Sequence, residues 1–239
     1  MPVKTKNTKA IDRASSRNAT LATTLYRALK GDIIRGSLAP RQWLRIDLLR
    51  KRYGAGATPL REALNRLSAE GFVEQKDQRG FAVTDVNESG LDELIFTRCA
   101  LNEIMLPNVI KNGDKSWEER VVLAHYHLSK TPPFGSDGSM NESYLACHRE
   151  FHMSLLAPCG SRWLLGLSEK LFDLTQRYQN LALRQDVVGS RDVASEHQEM
   201  VKAILSRDLT KSIRLLNEHV VTTGRFARAS AESATAGSH

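Results

Sequence analysis

Cysteine is scarce: Cys99, Cys147 and Cys159 are the only three, an odd number with no CxxC spacing. That pattern excludes a disulfide framework and suits unpaired thiols in a reducing cytosol. No apolar run is long enough to cross a bilayer, so a membrane partner is not expected. The first twenty residues carry Lys and Arg without the apolar stretch of a secretory signal, and the chain reads as cytoplasmic. A Ser-His-Asp order and a Gly-rich phosphate loop are both missing, and the residues beyond 86 show neither strand alternation nor an internal repeat.

What is present is uneven. Residues 1–80 hold 17 Lys and Arg against 7 Asp and Glu, whereas residues 81–239 hold 17 against 20. A basic module is therefore attached to a mildly acidic body, and basic modules meet phosphate or anionic lipid. Residues 1–17 are polar and basic without periodicity and read as a disordered arm. Residues 18–86 then carry helical spacing from Leu21 to Ile33, a second short helix near Asp47–Tyr53, and the stretch GAGATPLREALNRLSAEG from Gly54 to Gly71. In that stretch Thr58-Pro59 reads as a helix start, and Leu60, Ala63, Leu64 and Leu67 form a buried stripe. Arg61 and Asn65 lie one turn apart, off the stripe, as base-reading side chains should. Short β-type runs at Phe72–Glu74 and Phe81–Val83 flank Arg79-Gly80, a hairpin with a basic tip. Three helices and a two-stranded wing make a winged helix-turn-helix.

LYRALKGDIIRGSLAP, TPLREAL, RLSAEGFV and RGFAV resemble the DNA-binding domain of the GntR family of bacterial repressors. The resemblance implies a double-stranded DNA operator as partner. Thr58, Arg61 and Asn65 would face the major groove, and Arg79 and Gly80 the minor groove. Two departures stand out. Ala57 occupies the place of an Arg that contacts DNA in the family, and Arg41 that of a Gly. Arg50 and Arg52 are candidates to supply backbone charge instead.

Residues 87–229 read as an all-α bundle of about six helices, near 88–112, 115–130, 139–157, 161–184, 191–206 and 209–229. The small, polar residues 230–239 read as a frayed tail. The fold class expected is thus mainly α, a winged helix-turn-helix followed by that bundle. His148 and His152 are i,i+4 on one helix face, His197 heads an apolar stripe with Met200, Val201 and Ile204, and His219 shares one with Leu215 and Leu216. Four imidazoles on inward faces are costly to bury without partners, and a divalent metal would satisfy them together. HREFH invites comparison with the HExxH zinc-protease motif, but Glu150 sits about 200° around the helix from His148 and cannot serve as its base.

YLACHREFHMSLL, SEHQEMVKAILSRD and SIRLLNEH are similar to the FCD domain, the effector-binding half of the FadR branch of GntR regulators. The resemblance implies a metal held by His152, His197 and His219, with His148 where the family has an Asp. Imidazole in place of carboxylate removes a negative charge and favours a borderline metal, zinc first, with nickel or another transition metal as alternatives. It further implies Arg98 as a contact to a small carboxylate effector, with Arg177 a second candidate, and a homodimer as the working unit. The expected function is a ligand-responsive repressor rather than an enzyme. The alternatives are a helical metalloenzyme and a DNA binder whose metal is purely structural.

Overall fold

The computed structural model describes residues 21–76, 79–136, 139–183 and 191–236. The basic arm expected at 1–17 lies outside these residues. Chain contacts divide at Val86/Asn87 into two units.

The first unit contains α1 (21–34), β1 (Trp43–Leu44), α2 (Ile46–Tyr53), α3 (Ala57–Ala69), β2 (Val73–Lys76) and β3 (Gly80–Val83). The sheet order is β1-β3-β2, antiparallel throughout, with Leu44 opposite Phe81 and Val73 opposite Val83. The wing therefore has three strands instead of the two expected, because a two-residue strand is too short to show period-two alternation. Leu60, Ala63, Leu64 and Leu67 are fully buried along one face of α3, and Leu29, Ile33 and Phe72 are buried as well.

Both ends of α3 follow from backbone chemistry. Gly56 is the N-cap, so the helix begins before Thr58, which makes no capping bond. Pro59 is then the third helical residue, where an N–H would have no acceptor within the helix. At the other end Gly71 has φ +84°, its N–H donates to Ser68 O at 3.0 Å, and Phe72 N–H reaches Leu67 O at 3.0 Å. This paired closure satisfies the last carbonyls and needs the left-handed residue that glycine supplies.

The second unit holds α4 (Glu88–Asn112), α5 (Lys115–Lys130), α6 (Glu142–Leu156), α7 (Arg162–Leu183), α8 (Val193–Leu205) and α9 (Leu209–Ala236). Asn87, Asp114, Asn141 and Asp192 cap the starts of α4, α5, α6 and α8 through their side-chain oxygens. The helix α9 runs to Ala236, past the tail boundary expected at 230. Ser230 to Ala236 holds neither Gly nor Pro, so nothing in that run interrupts the backbone ladder before Gly237. The core is built on Met105, Leu106, Val109, Trp117, Val121, Phe151, Leu155 and Ile204. Trp117 joins it with its indole N–H satisfied by Ser154 O at 2.8 Å. Among the described residues, no helix is long and apolar enough to cross a membrane.

The helices α4 and α9 pack along one another, and Gly224 is where α9 leaves room for Ile95. A Cβ added there would lie 2.1 Å from Ile95 Cδ1. Gly224→Val should therefore cost the bundle about 1–3 kcal/mol by overpacking. In urea unfolding, Ile95→Ala combined with it should cost less than the sum of the two single changes.

Candidate functional site

In the bundle the i,i+4 spacing on α6 places His148 and His152 on one buried face. Their Nε2 atoms are 3.1 Å apart and their rings 4.6 Å apart, edge to face. His197 comes from the second turn of α8 and His219 from the middle of α9. The rings of His152, His197 and His219 lie 5.0–5.2 Å from one another. One nitrogen from each of the four residues lies within 4.8 Å of those of the other three, and all four residues are buried. The sequence-derived quartet is thus brought together from three helices.

Burial is the first cause of every pKa shift in the group. It pulls His148 down to about 3, pushes His152 and His197 well below the ordinary range, and lowers His219. All four rings are neutral at pH 7, which leaves each with one nitrogen lone pair to offer. His197 Nε2 is buried and has no hydrogen-bond partner among the described residues. An orphaned nitrogen beside three other imidazoles is costly in an apolar core, and a shared cation is the partner that suits it. The donor set therefore fits a divalent metal.

A second layer surrounds the rings. His219 Nδ1 lies 2.8 Å from Glu196 Oε2, and Arg191 pairs with the same carboxylate. The Gln176 amide stands 3.4 Å from His148 Nδ1, and Tyr144 stacks parallel on the His148 ring at 5.8 Å. Sequence reading missed Glu196, Arg191 and Gln176. The only signal was Glu196 directly before His197, because the ring it bonds is 23 residues away. His125 stands apart, its ring 5.5 Å from that of Phe151.

A cavity of about 20 Å³ adjoins the cluster, lined by His152 and His219 together with Arg98, Asn102 and Ser168. The Arg98 guanidinium lies 5.2 Å from the centre of the Phe172 ring. Desolvation lowers it to about 10, so it keeps its charge at neutral pH. Asn102 donates to Asn217 Oδ1 at 3.0 Å. Arg177 is fully buried on α7 but does not line this cavity. Glu150 is exposed, away from the imidazoles.

In the first unit, Thr58, Arg61 and Asn65 are exposed along the face of α3 opposite its apolar stripe. Arg79 and Gly80 are exposed on the wing, and Gly80 has φ +93°. Trp43 and Arg45, which sequence reading passed over, line a surface hollow with Arg79. Arg50 is 3.6 Å from Asp47, and Arg52 is tied to Asp32 at 2.7 Å. Arg41 takes up a left-handed conformation, φ +63°, and pairs with Asp85.

Two family models match the chain. Residues 21–83 match "Bacterial regulatory proteins, gntR family" and residues 93–222 match "FCD domain". The HTH-type transcriptional repressor GlaR of Escherichia coli is 36% identical over 200 residues, covering 82% of this chain and 91% of that protein. The uncharacterized HTH-type transcriptional regulator BphR of Paraburkholderia xenovorans is 31% identical over 202 residues, covering 84% and 82%. Among solved structures, E. coli McbR/YncC shares the fold with a TM-score of 0.72 at 18% identity, over 87% of this chain and 97% of that one. GlaR and BphR are both named as HTH-type transcriptional regulators. With a DNA-binding winged helix ahead of a helical FCD domain, the chain is a transcriptional regulator that belongs to the GntR family.

Proposed function

We propose that the chain is a cytoplasmic, homodimeric repressor that releases or grips its operator when a small carboxylate binds beside a zinc ion held by His148, His152, His197 and His219. The observation that carries this reading is the Arg98 guanidinium on the same cavity wall as two of the four clustered imidazoles. Four neutral imidazoles bring no negative charge, so a bound M²⁺ keeps its full charge and Arg98 adds another. No carboxylate lines the cavity. An organic acid would supply the missing anion, and the Arg98 guanidinium would hold its carboxylate beside the cation. When bound, zinc supplies a fixed Lewis-acidic charge. Nickel or another borderline metal would serve the same donors.

On the DNA side, Arg61 is suited to bidentate contact with guanine, and Asn65 and Thr58 extend the same exposed face. Arg79 and Gly80 approach the minor groove, and Arg50 is free enough for a phosphate. Arg52 is the weaker candidate because Asp32 already holds it. Dimerisation has support in the exposed apolar side chains Phe96 and Ile104 on α4 and Trp163 and Leu167 on α7, two helices that pack together. A two-fold pair of heads would span half-sites about one helical turn apart. The repressor named GlaR lends the sign of the response.

A second reading, a DNA binder with a purely structural metal, draws on the cavity itself. About 20 Å³ holds roughly one water, so an organic acid would have to open it. Elemental analysis followed by a melting screen with small carboxylates separates the two. The effector reading expects a bound transition metal and an upward melting shift with some acids, lost in Arg98→Ala, with operator affinity changed by the same acids. A metal-bearing protein that responds to chelator but to no acid would favour the structural role.

For the DNA side, a duplex selected from a random pool should bind two chains in sedimentation, and Arg61→Ala should cost about 1–3 kcal/mol of specific binding. Normal binding by that variant would remove α3 from the groove.

Chelated protein should also lose stability in acid. The four folded imidazoles have pKa values below those of the unfolded chain. Below pH ~6.5 the unfolded state therefore binds more protons, and stability falls with pH by up to about 1.4 kcal/mol per unit for each ring. Melting temperature in chelator should drop between about pH 7 and about pH 5. A flat profile would contradict burial of the rings.

A further inference from the structure

One contact set beside the imidazoles neither lines the cavity nor faces DNA. Arg191, just ahead of α8, donates from Nε to Glu196 Oε1 at 2.6 Å and from Nη2 to Glu196 Oε2 at 2.5 Å. Two-point contact of this kind fixes the plane of a carboxylate. The same guanidinium donates from Nη1 to Thr223 Oγ1 at 2.9 Å and reaches the His219 carbonyl oxygen at 3.3 Å. Its carbon lies 5.6 Å from the centre of the Phe226 ring. Glu196, so clamped, presents Oε2 to His219 Nδ1 at 2.8 Å.

The direction of that last bond matters. An ionised carboxylate can only accept, so the hydrogen must sit on Nδ1 of His219, and Nε2 becomes the lone-pair nitrogen. Arg191 Nη2 also stands 3.1 Å from Nδ1, but two donors make no bond. Its hydrogens go to Glu196 and the backbone carbonyl instead. Among the described residues, His219 is the one ring of the four whose outer nitrogen meets a carboxylate; His148 meets the Gln176 amide.

We infer that Glu196, held in place by Arg191, is a positioning residue for the metal site: it fixes His219 as the Nδ1–H form and so leaves Nε2 for the cation shared with His148, His152 and His197. This rests on the metal reading above and names the pair on which one of its four ligands depends. The competing role is a plain staple between α8 and α9, since Arg191 also donates to Thr223 and to the α9 backbone. A staple contributes to folding whatever the tautomer of His219. A positioning pair contributes to metal affinity when folding is unchanged.

The experiment uses full-length protein and Zn²⁺ alone. Affinity is measured by competition with a chromophoric chelator for wild type, Glu196→Gln, Glu196→Ala and Arg191→Lys. Melting in excess chelator gives the metal-free stability, and long-range ¹H–¹⁵N correlation of the imidazoles gives the tautomer of His219. Glu196→Gln is nearly isosteric and guards against a variant that fails to fold. We expect Zn²⁺ to bind about 10–100-fold more weakly to Glu196→Gln and Glu196→Ala, with a smaller loss in Arg191→Lys. His219 should be Nδ1–H in metal-free wild type and lose that preference in Glu196→Ala. Wild-type affinity in both Glu196 variants, with only the metal-free melting lowered, would overturn the positioning role and leave the metal reading intact. An Nε2–H His219 in wild type would overturn it as well. Wild type that takes up no Zn²⁺ would overturn the metal reading and this inference with it.

Discussion

A neutral imidazole carries one donor and one acceptor nitrogen, and leaving either buried without a partner costs about 1–3 kcal/mol. The helical half of this protein meets that constraint four times in one place. Its α6 offers two rings one turn apart, α8 and α9 close on them with one each, and Phe151 and Phe172 pack against the resulting group. Desolvation keeps the rings neutral, and neutrality is what leaves their lone pairs available. The outer nitrogens of His219 and His148 lie against Glu196 and Gln176, while among the described residues His197 Nε2 has no hydrogen-bond partner. Apolar residues of similar size would have filled the same space at lower cost. The polar choice makes physical sense when the rings are completed by a cation.

In the DNA-binding half the same bookkeeping of partners separates structural from available charge. The basic surplus of residues 1–80 does not all face outward to a ligand. Arg66 lies 4.2 Å from the centre of the Tyr26 ring, Arg52 pairs with Asp32, and Lys30 bridges Glu70 and the face of Phe72. What remains along α3 is Arg61 with Thr58 and Asn65, and on the wing Arg79 with Arg45 close by. The Arg that the family carries at the position of Ala57 is not replaced on α3 itself. Arg45, at the N-cap of α2 and exposed, is a cation on the wing side that the family pattern did not point to.

Most of the architecture was legible because its signals are local. The stripe on α3, the Gly71 stop and the Asn and Asp caps of the bundle each depend on residues within a turn or two of one another. The His148–His152 pair was legible for the same reason, and His197 and His219 because each interrupts an otherwise apolar stripe. What escaped was non-local or too short. The strand β1 has two residues and exists only through its pairing with β3. The start of α3 at Ala57 follows from Gly56 acting as cap, where Thr58 looked the better capping residue. Arg191, Glu196 and Gln176 look like ordinary polar helix residues until α8, α9 and α7 are brought together. Arg177 is buried on α7 and is not among the residues lining the cavity that Arg98 lines.

The charges near the cluster explain why Arg98 differs from its neighbours. Arg191 is matched by Glu196, and Arg149 by Asp173 and Glu169, so each of those cations is neutralised by the fold. Arg98 has no carboxylate within ion-pair distance among the described residues and rests on the face of Phe172 instead. Desolvating an unmatched guanidinium is unfavourable, which is why its pKa falls to about 10. The position where the resemblance puts a metal-binding Asp is His148, and imidazole there brings no negative charge to the surroundings of one small cavity. A site that gains a divalent cation under those conditions would hold three positive charges with no carboxylate among the residues lining the cavity. An anionic ligand is then the condition under which the cavity is electrostatically complete.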